Sequence, residues 1–185
     1  MKYRSEAALR DGATAVLRSL CVQDAPEALY VMKKTADETR NLVRYADEWT
    51  LTVDDERAYI RRQQDDPRAL LLGAFVEDRL VGVAGLTPAA PVCRARHRAS
   101  LGVVVLQAAW GRGVGTAMLR ALIGQARATA CEQLELEAVG SNERAIRLYT
   151  HLGFVPFGRH PRKFKHRDGT YDDAVLMMLD LRGQG

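Results

Sequence analysis

Apolar and polar residues alternate loosely between Gly12 and Leu20, with Ala13, Ala15 and Leu17 on one face and Thr14, Val16 and Arg18 on the other. This spacing predicts a first strand. Asp24 then caps a helix, with Pro26 near its first position, Glu27 in its first turn, and Ala28, Leu29, Val31 and Met32 as its apolar face. Residues 39–52 are less regular and carry Tyr45, Trp49 and several acids. Asp54, Asp55 and Glu56 fill the first turn of a second helix, where negative charge suits the dipole, and Pro67 ends it. Two apolar runs, Leu70–Val76 and Leu80–Leu86, flank Glu77-Asp78-Arg79 and predict a hairpin. Thr87–Cys93 contains Pro88 and Pro91 and reads as a loop. A strand follows over Arg98–Leu106, then a helix from Gly113 to about Ala130 with Val114, Met118, Ala121 and Leu122 on one stripe and Leu119 and Ile123 beside it. Residues 133–138 alternate as a strand, and a helix starts at Asn142. Val155–Lys165 and Tyr171–Leu181 form a closing hairpin with an Asp168-Gly169 turn, and Arg182-Gly183-Gln184-Gly185 reads as a frayed polar tail. The order is β-α-α-β-β-β-α-β-α-β-β: an α/β chain with a mixed sheet and helices on both faces.

The chain has 185 residues and is most simply one domain, 1–185. Its 47% apolar content is ordinary, and its net charge of +4 is too mild to argue for nucleic acid without a concentrated patch. The basic run from Arg159 to Arg167 reads as alternation along an exposed hairpin. Cys21, Cys93 and Cys131 are odd in number and lack C-x-x-C spacing, which predicts reduced thiols, no zinc or other metal site, and a cytoplasmic protein. No apolar run approaches membrane-spanning length, and Met1–Glu6 lacks the apolar core of a signal peptide.

The chemistry concentrates in Val103–Leu119, an apolar strand, a turn with Gly111, Gly113 and Gly115, and a helix start. Glycine permits positive φ and close approach of a ligand. The first amides of a helix lack intrahelical partners and carry the positive end of its dipole. Together these make a pyrophosphate cradle, with the Arg112 charge beside it. The spacing is not that of a dinucleotide fingerprint, because Thr116 stands where the third glycine belongs, and no triphosphate P-loop occurs.

Trp110-Gly111-Arg112-Gly113-Val114-Gly115 resembles the acetyl-CoA loop Q/R-x-x-G-x-G/A of the GNAT acetyltransferase superfamily, with Trp110 replacing Gln or Arg. Asn142-Glu143-Arg144-Ala145 through Tyr149 to Gly153-Phe154 resembles its second signature, N-x-x-A-x-x-x-Y-x-x-x-G-F. The resemblance spans about 70–180. It implies a single GNAT-like domain with an acetyl-CoA core over about 70–160, acceptor-side helices over about 24–66 and a closing hairpin over about 154–181. It also implies a mostly antiparallel sheet whose central parallel pair, the strand ending at Leu106 and the strand 133–138, splays apart.

The same resemblance assigns the site. Acetyl-CoA would be held at the pyrophosphate by the amides of Gly111, Arg112, Gly113, Val114, Gly115 and Thr116. Its pantetheine would pair with Val103, Val104 and Val105 as a pseudo-strand, and Asn142 would be a polar contact. Tyr149 matches the tyrosine that protonates the leaving thiolate; the plainer reading is a half-buried helix residue on the face of Ala145 and Leu152. Many relatives carry a carboxylate in A-[D/E]-φ-G, but this chain reads Ala99-Ser100-Leu101-Gly102. Glu137, on the same strand face as Glu135, is the candidate general base, with His97 as the other. The acids Asp37, Glu38, Asp47, Glu48, Asp54, Asp55 and Glu56, with Tyr45 and Trp49, would suit a cationic amine; helix capping explains them more plainly. The implied activity is direct acetyl transfer to a primary amine of a small molecule. The stretch Lys165–Asp173 resembles bacterial relatives acting on amino acids or other small amines. The alternatives are a protein N-terminal or lysine acetyltransferase, and a coenzyme A-binding sensor without turnover. A homodimer is plausible on the family pattern, with no nucleic-acid or membrane partner.

Overall fold

The computed structural model describes residues 3–182; the last three residues of the predicted frayed tail lie outside them. Eight strands and four α-helices alternate as β1 (Arg4–Ala8), β2 (Thr14–Ser19), α1 (Ala25–Glu38), α2 (Val53–Asp65), β3 (Leu70–Val76), β4 (Arg79–Pro88), β5 (Arg98–Val105), α3 (Val114–Ala128), β6 (Gln133–Val139), α4 (Glu143–His151), β7 (Val155–Lys165) and β8 (Tyr171–Asp180). They build one sheet in the order β1-β2-β3-β4-β5-β6-β8-β7. Every neighbouring pair is antiparallel except β5 and β6.

The α/β class and the order of elements agree with the sequence reading, with one strand added. β1, Arg-Ser-Glu-Ala-Ala, pairs Arg4–Ala8 with Thr14–Arg18 at the sheet edge. It carries no large apolar residue, so its alternation is invisible to a hydrophobic pattern. Pro88 ends β4 opposite Ala99 instead of belonging to a loop. The β3–β4 turn is tighter than read: Glu77 and Asp78 both take positive φ, 50° and 61°, the twist a two-residue hairpin needs. Asp24 does not cap α1 with its side chain. Its carboxylate accepts the Cys21 N–H at 2.7 Å and pairs with Arg18 at 2.7 Å, closing the 3₁₀ turn before the helix. The acids expected in the first turn of α2 are there, and a capping box the sequence reading did not name precedes them, with the Thr52 and Asp55 side chains exchanging bonds with each other's backbone.

Strand alternation divides the packing into two layers. On one face Leu72, Ala84, Leu101, Leu134, Leu136 and Met177 pack with Met118, Leu119 and Leu122 of α3. On the other, Leu71, Phe75, Leu80 and Val83 pack with Ala28 and Val31 of α1 and Ile60 of α2. Among the described residues no helix is long and apolar enough to cross a membrane.

The parallel pair is short. β5 and β6 are in register only from Arg98–Gln133 to Ser100–Glu135. Beyond that point β5 stays paired with β4 through Val105, and β6 with β8 through Val139. The strands therefore part, and the β6-facing edge of β5 is left open from Leu101 onward.

Candidate active site

A cleft of about 1490 Å³ runs through this gap, from the α3 N-terminus past Tyr149 to the inner faces of α1 and α2. At its phosphate end, Gly111 and Gly113 take φ of 77° and 98°, values that L side chains rarely adopt. Gly113 is the N-cap of α3, and the Ala117 N–H is the one that reaches back to its carbonyl, at 3.0 Å. The amides of Val114, Gly115 and Thr116 thus precede the helical ladder and are free for a ligand. Gly115 also allows α4 to close in: a Cβ there would lie 3.5 Å from Leu148 Cδ2. This bare, amide-rich turn fits a pyrophosphate.

The charge expected of the Arg112 side chain is placed elsewhere. Its guanidinium pairs with Asp11 in the β1–β2 turn, outside the cleft lining. Arg10 lines the cleft instead, its N–H donating to the Arg112 carbonyl at 2.9 Å. Trp110 has a structural reason to depart from the motif. Its indole Nε1 donates to the Val105 carbonyl at 2.7 Å, and its ring lies 4.5 Å beneath the Arg144 guanidinium. It ties the glycine turn to the end of β5 and to α4. Val103, Val104 and Val105 all line the cleft; the Val105 carbonyl already has this partner. Asn142 caps α4, its Oδ1 accepting the Ala145 N–H at 3.2 Å, and also faces the cleft.

Tyr149 is 7% exposed, with its ring edge-on to Phe154 at 6.0 Å. It lines the cleft, and its hydroxyl has no hydrogen-bond partner among the described residues. Burial pushes its pKa up to about 12, so it carries its proton throughout the neutral range.

The residues around the missing acid differ in their surroundings. Ser100 faces the cleft with only a long 3.5 Å contact to the Thr87 carbonyl. Glu135 is outside the cleft lining, held by Arg98 at 2.8 Å and by the Gln133 amide at 2.7 Å. Glu137 lines the cleft with its carboxylate ion-paired to Lys163 of β7. His97 is not among the lining residues.

Most acids of residues 37–56 already have partners, some within their own helix or turn and some across the fold. Asp37 pairs with Lys34, Asp54 with Arg57, and Asp47 with Arg167. Glu38 accepts the Gln107 N–H and Glu48 the Tyr45 N–H. Tyr45 lies under Arg167, 4.2 Å from it, and is no part of the cleft wall. Arg167–Asp47 and Arg40–Asp168 tie the 39–52 loop to the β7–β8 turn. The Thr170 hydroxyl and N–H, with Arg40, hold the Asp168 carboxyl at about 2.

Glu56 stands apart. It is 7% exposed, lines the cleft, and has no partner for its carboxylate among the described residues. Burial raises its pKa. Two further polar atoms in this wall are buried and unpartnered, Thr35 Oγ1 and Trp49 Nε1. Arg44 and Arg62 also line it, stacked on Trp49 and Tyr59 at 5.3 and 5.9 Å, with no carboxylate at ion-pair distance among the described residues. The sequence pointed to Glu56 and Trp49 only as members of a cluster, and to Thr35 not at all.

A parallel strand pair that opens beside a glycine turn, with a buried phenol across the gap, defines a transferase that draws on a coenzyme A thioester. The comparisons with known proteins agree. A model of the Acetyltransferase (GNAT) family matches residues 37–154. A Streptomyces griseus N-acetyltransferase is 31% identical over 137 residues, 69% of this chain and 67% of that protein. A GNAT-family acetyltransferase from Streptococcus pneumoniae superposes with a TM-score of 0.86 at 25% identity, over 90% of this chain and 99% of that one. The yncA protein of Salmonella typhimurium, solved with its cofactor acetyl-CoA, superposes at 0.81 with 21% identity, over 92% and 96% of the two chains. The chain belongs to the GNAT family of N-acetyltransferases, which use acetyl-CoA as acetyl donor.

Proposed function

We propose that the chain moves acetyl from acetyl-CoA directly to the primary amine of a small molecule. The observation that carries this reading is the form of the acceptor end. It is walled by α1, α2 and a 39–52 loop tied down by two arginine–aspartate pairs. Such a wall suits a small molecule better than a protein chain. Arg44 and Arg62 of this wall, with no carboxylate at ion-pair distance among the described residues, favour an acceptor bearing, besides its amine, a group that accepts hydrogen bonds or negative charge. Of the acids that the sequence suggested for this wall, Asp55 and Glu56 line the cleft beside them.

Each residue has a part in that reaction. The amides from Gly111 to Thr116 hold the pyrophosphate, and the open edge of β5 at Val103, Val104 and Val105 takes the pantetheine amides. Asn142 contributes its remaining side-chain polarity. The cofactor supplies an acetyl group activated as a thioester. A β5 backbone N–H polarises its carbonyl. Tyr149 donates its proton to the departing sulfur and regains one from the attacking nitrogen, which sheds a proton as the amide forms.

The test is thiol release from acetyl-CoA with amino acids, polyamines, aminoglycosides and short peptides as acceptors. Stimulation by one small-amine class supports the reading. Stimulation by peptides alone would replace it with a protein acetyltransferase. Acetyl-CoA binding with no thiol release from any amine would replace it with a coenzyme A sensor, the reading that Ser100 in place of the acid favours.

A further inference from the structure

The reaction needs a proton acceptor for the incoming ammonium, and the strand position where a carboxylate is common holds Ser100. Four carboxylates line the cleft; Asp55 is bonded to Thr52 in the α2 cap and Glu143 is paired with Arg147, which leaves Glu137 and Glu56. The Glu137 carboxylate is already occupied by the Lys163 ammonium. Glu56 lies on the inner face of α2, one turn before the fully buried Ile60, and lines the cleft with no partner for its carboxylate among the described residues.

A carboxylate in a helix's first turn is ordinary when it faces water. Here it is buried, and it is not alone. The Thr35 hydroxyl, 3% exposed on α1, and the Trp49 indole N–H, on the 39–52 loop, line the same cleft with no partner. Buried polar groups are nearly always paired, because an unmade hydrogen bond costs more than a made one gains. Two such atoms from two elements, in the cleft that the Glu56 carboxylate also lines, mark the place of a polar ligand.

The hollow is itself built. Gly85 and Gly102 are Cα partners across β4 and β5, on the sheet face that carries Val83, Thr87, Ser100 and Val104. A Cβ on Gly102 would meet nothing within 4 Å, and one on Gly85 only Leu71 Cδ1 at 3.8 Å. Two bare positions side by side leave room in the cleft that Glu56 also lines.

We infer that Glu56 receives the acceptor's ammonium in this hollow and takes its proton, with the Thr35 hydroxyl and the Trp49 indole N–H fixing the acceptor beside it. The inference rests on the small-amine acetyltransferase reading. One N–H proton passes from the ammonium to a Glu56 carboxylate oxygen, leaving the nitrogen lone pair free. That pair forms the C–N bond as the C–S bond breaks, the sulfur takes the Tyr149 proton, and the nitrogen's surplus proton returns to Tyr149. Glu56 then releases its proton to solvent, which balances the reaction. The ionisable groups sharing this end of the cleft are Asp55, Tyr59 and Arg62 on α2 and Arg44 on the 39–52 loop; α1 and the sheet present none there. Burial raises the Tyr59 pKa, and the Glu56 charge raises it further, which puts the two groups within electrostatic reach.

The experiment is kcat/KM against pH, from 6 to 10, with acetyl-CoA and the best amine of the acceptor panel, for wild type, Glu56→Gln and Glu137→Gln. The expected loss for Glu56→Gln is about 10²–10⁴-fold at pH 7, shrinking as pH approaches the amine's own pKa, where free amine needs no base. Glu137→Gln loses less than Glu56→Gln at pH 7 and shows no recovery toward high pH. Glu56→Ala, partly restored by added formate, separates proton transfer from a folding defect. A Glu56→Gln loss that is equal at every pH, or no loss at all, overturns the inference and leaves the transferase reading intact. A pH-dependent recovery in Glu137→Gln instead moves the role to Glu137. A wild type that turns over no amine overturns both.

Discussion

Filling the hollow at Gly102 should damage the acceptor's fit and spare the fold. Gly82 and Gly102 are both glycines in central strands with negative φ, so backbone conformation does not distinguish them. Space does. A Cβ on Gly82 would lie 2.9 Å from the Val104 carbonyl oxygen and 3.1 Å from Met118 Sδ, whereas one on Gly102 meets nothing within 4 Å. Overpacking of the first kind costs about 1–3 kcal/mol. In a chain of this length each kcal/mol moves Tm by roughly 2–4 °C, so Gly82→Ala should melt roughly 2–12 °C lower. Gly102→Ala removes backbone freedom from the unfolded chain at no steric cost, worth about 0.4–1 kcal/mol of stability. Gly102→Val keeps that tolerance and adds three carbons to the acceptor's space. A misfit of one methylene is worth about 1–3 kcal/mol, so kcat/KM for the acceptor should fall at least 10–200-fold, with acetyl-CoA affinity within about twofold of wild type. Thermal melts, acceptor kinetics and coenzyme A titration read the three quantities. A Gly102→Ala protein that melts as low as Gly82→Ala, or a Gly102→Val protein with unchanged acceptor kinetics, would refute the reasoning.

Other outcomes follow from the same geometry. Arg10→Ala should raise the KM for acetyl-CoA about threefold to tenfold, increasingly so at low ionic strength, because its exposed charge faces the cradle. Arg112→Ala should leave that KM near wild type and loosen the β1–β2 turn, seen as faster amide exchange there. Tyr149 has a folded pKa of about 12 against an ordinary 10, so its contribution is complete below pH 10 and is lost as pH rises to 12. Two units correspond to about 3 kcal/mol, and Tyr149→Phe should abolish that part of the alkaline unfolding curve. Glu56 has a raised pKa as well, so its neutral form is favoured by folding and stability falls as pH climbs past its ordinary 4.5. The melting difference between Glu56→Gln and wild type should therefore shift in the variant's favour between pH 4 and pH 8.

What the sequence made legible depended on how local the cause was. The glycine turn and the Asn142 helix with Tyr149 are set by neighbours within a few residues and by motifs of fixed spacing; the splay of β5 from β6 is set by their long-range pairing with β4 and β8 and was expected only from the family resemblance. The capping roles of Asp55 and Glu48 are also local. β1 was missed because its edge position needs no large apolar side chain. Arg112 looked like the cradle's cation because it is adjacent in sequence, yet the β1–β2 turn brings Asp11 to it and sends Arg10 into the cleft. Glu56 looked like one more first-turn acid. Its isolation comes from the packing of α2 against α1 and the sheet, and its neighbours Thr35 and Gly102 are remote in sequence. No short-range pattern encodes that meeting.

The most direct measurement for the central claim is thiol release from acetyl-CoA by wild type and Tyr149→Phe across the amine panel, with coenzyme A binding measured in parallel. Phe keeps the ring against Phe154 and removes only the unpartnered hydroxyl. The account predicts turnover with a small-amine class, a loss of about 10²-fold or more in Tyr149→Phe, and unchanged coenzyme A binding. Turnover that survives the substitution, or a protein that binds acetyl-CoA and releases no thiol with any amine, would contradict it.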